Sequence, residues 1–144
     1  MLLRNFIANG LFIGLIATLI TSTIMMLFRA RGKETVNLYL FFGKSILGKK
    51  VKKGHANTFA FLLHLVIGTL LGFAYVLVFK SAIWAGLAYG IGLWLAMMLV
   101  LFPIFGQKIF AKKLDKKNHK IRAWMLTLIF HVIYGIMLGW IASL

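Results

Sequence analysis

The chain is 144 residues long, 62% hydrophobic and only 13% charged, with 17 Lys and Arg against two acids, Glu34 and Asp115. One domain of this size cannot hide so much apolar surface in a water-soluble core, and the absence of cysteine excludes disulfides and thiolate chemistry. The basic excess lies between apolar stretches, which points to anionic lipid headgroups as partners and away from nucleic acid.

The first apolar stretch covers about 5–28, long enough to cross a hydrocarbon core of about 30 Å. It lacks a small-x-small cleavage site and runs directly into Arg29, Arg31 and Lys33, so it reads as a retained helix and not as a signal peptide. A segment at 35–48, rich in Leu, Tyr, Phe and Ile, reads as a short interfacial helix on the inner leaflet. A loop packed against the bundle is the alternative. The second stretch covers 57–79, and Lys80 and Ser81 turn it directly into the third, 82–106. Pro103 and Gly106 should kink that third span. The fourth covers 122–143. None of the four contains Asp or Glu. Backbone groups in lipid must be satisfied within the segment, so all four are helices. The fold class is all-α, an integral membrane four-helix bundle forming a single transmembrane domain.

Charge fixes an orientation. The first connector carries Arg29, Arg31, Lys33, Lys44, Lys49, Lys50, Lys52 and Lys53, and the third carries Lys108, Lys112, Lys113, Lys116, Lys117, Lys120 and Arg122. Only Arg4 and Lys80 stand on the other side. The positive-inside bias places both connectors in the cytoplasm and both termini outside. Trp84 and Trp140 then fall at the outer interface and Trp124 at the inner one, where amphipathic rings settle. Headgroup contact is assigned to Lys49, Lys50, Lys52, Lys53, Lys112, Lys113, Lys116 and Lys117.

The spans repeat. His64, Gly68, Gly72 and Phe73 follow the pattern His-x-x-x-Gly-x-x-x-Gly-aromatic, and so do His131, Gly135, Gly139 and Trp140. The first and third spans share Gly10 with Gly14 and Gly86 with Gly90. The unit is therefore a two-span hairpin that occurs twice in tandem, with copies related by an axis along the membrane normal. Residues four apart share a helix face, so each glycine pair forms a groove that permits close helix contact.

His64 lies eleven residues beyond Lys53 and His131 nine beyond Arg122, which at about 1.5 Å per residue puts both roughly 13 to 17 Å into the membrane. Thr18 and Trp94 reach similar depth, so Thr18, His64, Trp94 and His131 form a candidate interior polar layer, extended by Thr21 and Ser22. Ionisable groups at this depth usually face protein and often carry function. The structural reading is that each neutral imidazole bonds a hydroxyl or carbonyl and fixes helix register. A ligand, ion or proton site is the alternative. Paired histidines would also suit axial haem ligation. The glycine grooves argue that the helices touch, so no cofactor is expected. His55, His119 and the Asn9, Asn57 and Asn118 amides read as solvated or capping groups at span ends.

No intramembrane carboxylate is present to exchange protons with a cation. Nor is there a Ser-His-Asp set, a phosphate-cradling loop or a zinc motif. The chain is not expected to be an enzyme.

These spans resemble the YagU-like group of small bacterial and archaeal inner-membrane proteins. The resemblance lies in Gly10, Gly14 and Thr18; in His64, Gly68, Gly72 and Tyr75; in Gly86, Gly90, Trp94 and Pro103; and in His131, Gly135 and Gly139. It covers all four spans but not the connectors, and it departs from that group in the first connector, which is expected to be proline-rich, whereas Pro103 is this chain's only proline. It implies a four-span bundle and no particular reaction. The leading expectation is a non-enzymatic accessory or scaffold subunit, as a homo-oligomer or with other membrane subunits. A small transporter or channel past the histidines is the first alternative, and a haem- or lipid-binding subunit the second.

Overall fold

A computed structural model describes residues 2–30, 37–79, 82–105 and 120–144, with backbone alone for 2–8, 29 and 120–123. It contains α1 (Leu2–Ala30), α2 (Leu38–Leu47), α3 (Lys53–Val78) and α4 (Ile83–Ala96). A π-helical turn at Met97–Leu101 carries α4 without a break into the short α5 (Phe102–Ile104), and α6 (Lys120–Ile141) follows. The fold is all-α, with no strand among the described residues. Among the described residues four segments are long and apolar enough to cross a membrane: Asn9–Phe28, Lys53–Val78, Ile83–Ile104 and Trp124–Ile141. Helix α3 begins before the apolar stretch does, at Lys53, because backbone hydrogen bonding continues through Gly54 and His55 where hydropathy has ended. Lys80, Ser81, Gly106, His119 and Asn118 lie outside the described residues.

The helices pair as two hairpins, α1 with α3 and α4 with α6, while α1 also touches α6. The pairing surfaces are lined by glycine. A Cβ on Gly14 would lie 2.5 Å from the carbonyl oxygen of Thr69 and 3.0 Å from Gly72 Cα, and one on Gly68 would run into the Thr18 side chain. Gly10 lies against the Phe73 ring. In the second hairpin Gly86 and Gly135 meet each other's carbonyls, Gly90 meets that of His131, and a Cβ on Gly139 would lie 2.8 Å from the Ala82 carbonyl oxygen. Backbones this close gain dispersion energy, the term available to helices in lipid, where hydrophobic drive between them is absent.

The two hairpins do not share one register. Gly14 faces Gly72, but Gly90, its counterpart in the second unit, faces His131 and Gly135. The offset is about one helical turn. Its cause is side-chain volume: Thr18 fits over Gly68, whereas the larger Trp94 at the matching position reaches past the glycines, its indole N–H donating to the Thr127 hydroxyl at 3.2 Å.

Helix α2 is docked on the bundle. Asn37 caps it, its side-chain oxygen accepting from Leu40 N at 3.0 Å, while its amide donates to the Asn57 side chain of α3 at 3.2 Å. Gly43 rests against the Ala56 backbone. On the opposite flank Phe42 stacks on Phe102 with centroids 5.7 Å apart, and Phe41 meets the same ring edge-on at 6.1 Å. Helix α2 thus bridges α3 to the end of the α4–α5 span. Ile46 and Leu47 at its far end stay exposed. Gly48 then stops the helix at φ 98°, in the left-handed region that favours glycine.

The π turn has a local cause. Pro103 has no N–H to give the carbonyl one turn back, and its ring crowds that turn. The helix widens ahead of it, so that Phe102 N–H bonds the Met97 carbonyl. The extra residue turns two consecutive side chains, Met97 and Met98, into the core beside Trp94 and Phe102.

Candidate polar site between the hairpins

Thr18, one of the four expected polar residues, is fully buried, and its hydroxyl donates to the Gly14 carbonyl at 2.6 Å within α1. Across the interface it lies on Gly68. The Tyr134 hydroxyl of α6 donates to the Gly68 carbonyl, beside the Thr18 side chain that lies on the same glycine. Three helices therefore meet at one polar knot. Trp94 is buried in the core of the second hairpin, where the Thr127 hydroxyl donates a hydrogen bond to the Trp124 carbonyl at 2.8 Å and the Trp94 and Trp124 rings lie 6.1 Å apart.

His131 is half-buried, and its Nδ1 lies 2.7 Å from the Thr127 carbonyl. A carbonyl only accepts, so Nδ1 carries the proton and the neutral ring keeps a bare lone pair at Nε2. His64 is placed differently from the interior position expected of it. Ala60, one turn before it, and Gly68, one turn after it, are both buried, yet His64 itself is exposed. Helix α2 covers the face below and Tyr134 covers it above, which leaves a crevice one turn high between them. The Tyr39 ring of α2 lines it, 5.7 Å from the imidazole at 62°. His131 lies within electrostatic reach of His64.

Ser22 belongs to the same level. Gly14 faces Gly72 and Thr18 faces Gly68, and one further turn along antiparallel helices sets Ser22 opposite His64. Its hydroxyl is buried and has no hydrogen-bond partner among the described residues. Thr21, beside it, is spent on the Ala17 carbonyl at 2.9 Å.

Tyrosine was the side chain that span-by-span reading undervalued. Tyr75 donates to the Ala82 carbonyl at 2.9 Å and Tyr89 to the Leu71 carbonyl at 2.8 Å, so these two tie α3 to the start of α4 as Tyr134 ties α6 to α3. The signal was available: a phenol well inside an apolar span must find an acceptor, and a neighbouring backbone is the nearest source.

At the end of the bundle where α1 stops and α3 begins, Lys49, Lys50, Lys52, Lys53 and His55 are exposed. Lys112, Lys113, Lys116 and Lys117 lie outside the described residues. Trp84 and Trp140 are exposed at the other end.

Apolar helices of spanning length, joined through glycine contacts and cross-helix tyrosine bonds, define a multi-span helical membrane protein. The chain belongs to the family of the conserved membrane protein YqhR, which it matches over residues 3–144. This description differs from the YagU-like group that the motifs resemble, and the two agree in class. No curated protein and no solved structure matches the chain.

Proposed function

We propose that this protein is a non-enzymatic accessory or scaffold subunit, working as a homo-oligomer or within a larger complex of a bacterial or archaeal cytoplasmic membrane. The observation that carries this reading is the knot of Thr18, Gly68 and Tyr134, which ties α1, α3 and α6 together where an axial conduit would have to run. The polar groups of Tyr75, Tyr89 and Trp94 are likewise spent across helix contacts, and Thr127, which accepts from Trp94, spends its own donor within α6. Side chains used this way hold shape. They do not turn over substrate.

In this proposal the termini lie outside and the basic connectors in the cytoplasm, where Lys49, Lys50, Lys52 and Lys53 contact anionic headgroups. Kinship with the YagU-like group is part of the same reading and rests on the histidine and glycine motifs. Blue native electrophoresis of gently solubilised membranes tests it. A species well above the monomer mass is expected, and a lone monomer with nothing bound would count against it. Flux measured in liposomes for the native chain and for a double His64→Ala, His131→Ala variant separates a transporter. A scaffold transports nothing in either.

A further inference from the structure

The crevice at His64 is not accounted for by a scaffold. It gathers unspent hydrogen-bonding capacity in the middle of apolar helices, which is costly in lipid. Among the described residues the buried hydroxyl of Ser22 has no hydrogen-bond partner, His131 is engaged through Nδ1, which leaves its Nε2 as an acceptor, and the His64 ring is exposed. These groups come from α1, α3 and α6, and α2 closes the floor.

We propose that this crevice binds an uncharged, lipid-soluble ring compound that carries carbonyl or hydroxyl groups, the chemistry of an isoprenoid quinone or quinol. Four features of the site select that class. The first is hydrogen bonding: a neutral imidazole offers one donor and one acceptor, Ser22 offers both, and His131 offers an acceptor. A carbonyl can therefore be met by His64 or Ser22, and a hydroxyl by any of the three. Second, the walls are aromatic. Tyr39 meets Phe61 at 5.9 Å and His64 at 5.7 Å, and it packs in one cluster with Phe130 and Met25. Flat rings suit such walls.

The third feature is access. The opening lies on an apolar helix flank, where Ile67, one turn along from His64, is 46% exposed. A ligand entering there comes from the hydrocarbon and never has to cross water. Charge is the fourth. The chain's only acids, Glu34 and Asp115, fall outside the spans, so nothing at the crevice would offset a cation. An anion brought to this depth would face two neutral imidazoles and a large desolvation cost. An uncharged head avoids both penalties.

The experiment uses the full chain in nanodiscs of synthetic phosphatidylcholine and phosphatidylglycerol, which contain no quinone. The probe is a quinone with a single isoprene unit, followed through quenching of tryptophan fluorescence. Quenching should saturate, and His64→Phe should weaken binding about tenfold or more, the effect of losing one well-placed hydrogen bond of about 1.4 kcal/mol. Ser22→Ala should weaken it several-fold. That variant is informative even if His64→Phe folds poorly, because the Ser22 hydroxyl makes no hydrogen bond that the fold would miss. Thr23→Ala, which alters an exposed threonine one residue away, should bind as the native chain does.

Three results would overturn the proposal. The first is unsaturable quenching that is identical in all variants, the mark of partitioning into lipid. The second is equal competition by decanol, showing that the site does not select a ring. The third is efficient His64→Cys self-cross-linking in membranes, which would place a second copy of the chain in the crevice.

Discussion

Thr18 and Gly68 face one another across the α1–α3 interface, with the threonine side chain occupying the space where a glycine Cβ would begin. The second hairpin reaches the same closeness with backbone alone, the Gly135 position being blocked by the Gly86 carbonyl. The two contacts differ in how they can yield. A side chain can rotate away, but a helical carbonyl moves only with its helix.

Gly68→Leu should therefore destabilise the bundle by about 1 to 3 kcal/mol, the usual cost of overpacking, and Gly135→Leu by more. Gly92→Leu should be near neutral, since nothing lies within 4 Å of the position its Cβ would take. Thermal unfolding of the three variants in one detergent ranks them. A destabilised Gly92→Leu, or an undisturbed Gly135→Leu, would contradict this packing.

Tyr134→Phe removes the donor that ties α6 to the Gly68 carbonyl and keeps the ring in place. Cross-helix hydrogen bonds in membrane proteins are worth about 0.6 kcal/mol and rarely exceed about 1.7. A loss in that range is expected from equilibrium unfolding in mixed micelles. Tyr75→Phe and Tyr89→Phe should cost similar amounts, because each donates one bond to a neighbouring helix.

Helix α2 is fastened to the second hairpin mainly by Phe41 and Phe42 on Phe102. Phe102→Ala should loosen that end and expose Lys44, which is half-buried in the folded chain. Limited trypsin digestion reads this directly. Cleavage after Lys44 should rise relative to cleavage after the already exposed Lys49 and Lys50, and an unchanged ratio would mean that α2 is held by α3 alone.

The chain has no cysteine, so single-cysteine variants report on sidedness without background. Lys50→Cys should react with an impermeant maleimide only after the cell is opened, and Leu144→Cys in intact cells. The reverse pattern would invert the orientation drawn from the lysines and arginines.

Much of the architecture was legible in the sequence, because lipid leaves an apolar segment few choices. Four acid-free stretches of spanning length had to be helices, and the short connection at Lys80 and Ser81 left α3 and α4 little option but to run antiparallel. Pro103 announced the irregularity that takes the form of the π turn at Met97–Leu101. Spacing led to the expectation of one layer of Thr18, His64, Trp94 and His131; the packing puts Thr18 against Gly68 and Trp94 against Thr127, each about one turn from the histidine of its own hairpin.

Height is not direction, and direction came from tertiary packing. Ala60 clusters with Tyr39 of α2, and Gly68 is covered by Thr18 of α1 and Tyr134 of α6; His64 is exposed between these two positions, which no periodicity in α3 encodes. The register of each hairpin was decided the same way. Thr18 fits over a glycine and Trp94 does not, so two units with matching motifs settle about a turn apart. Sequence determined which segments enter the membrane, since that depends on transfer free energy summed along each segment. Which polar groups find partners, and which are left in the crevice, depends on the volumes of side chains that meet only once the helices have docked.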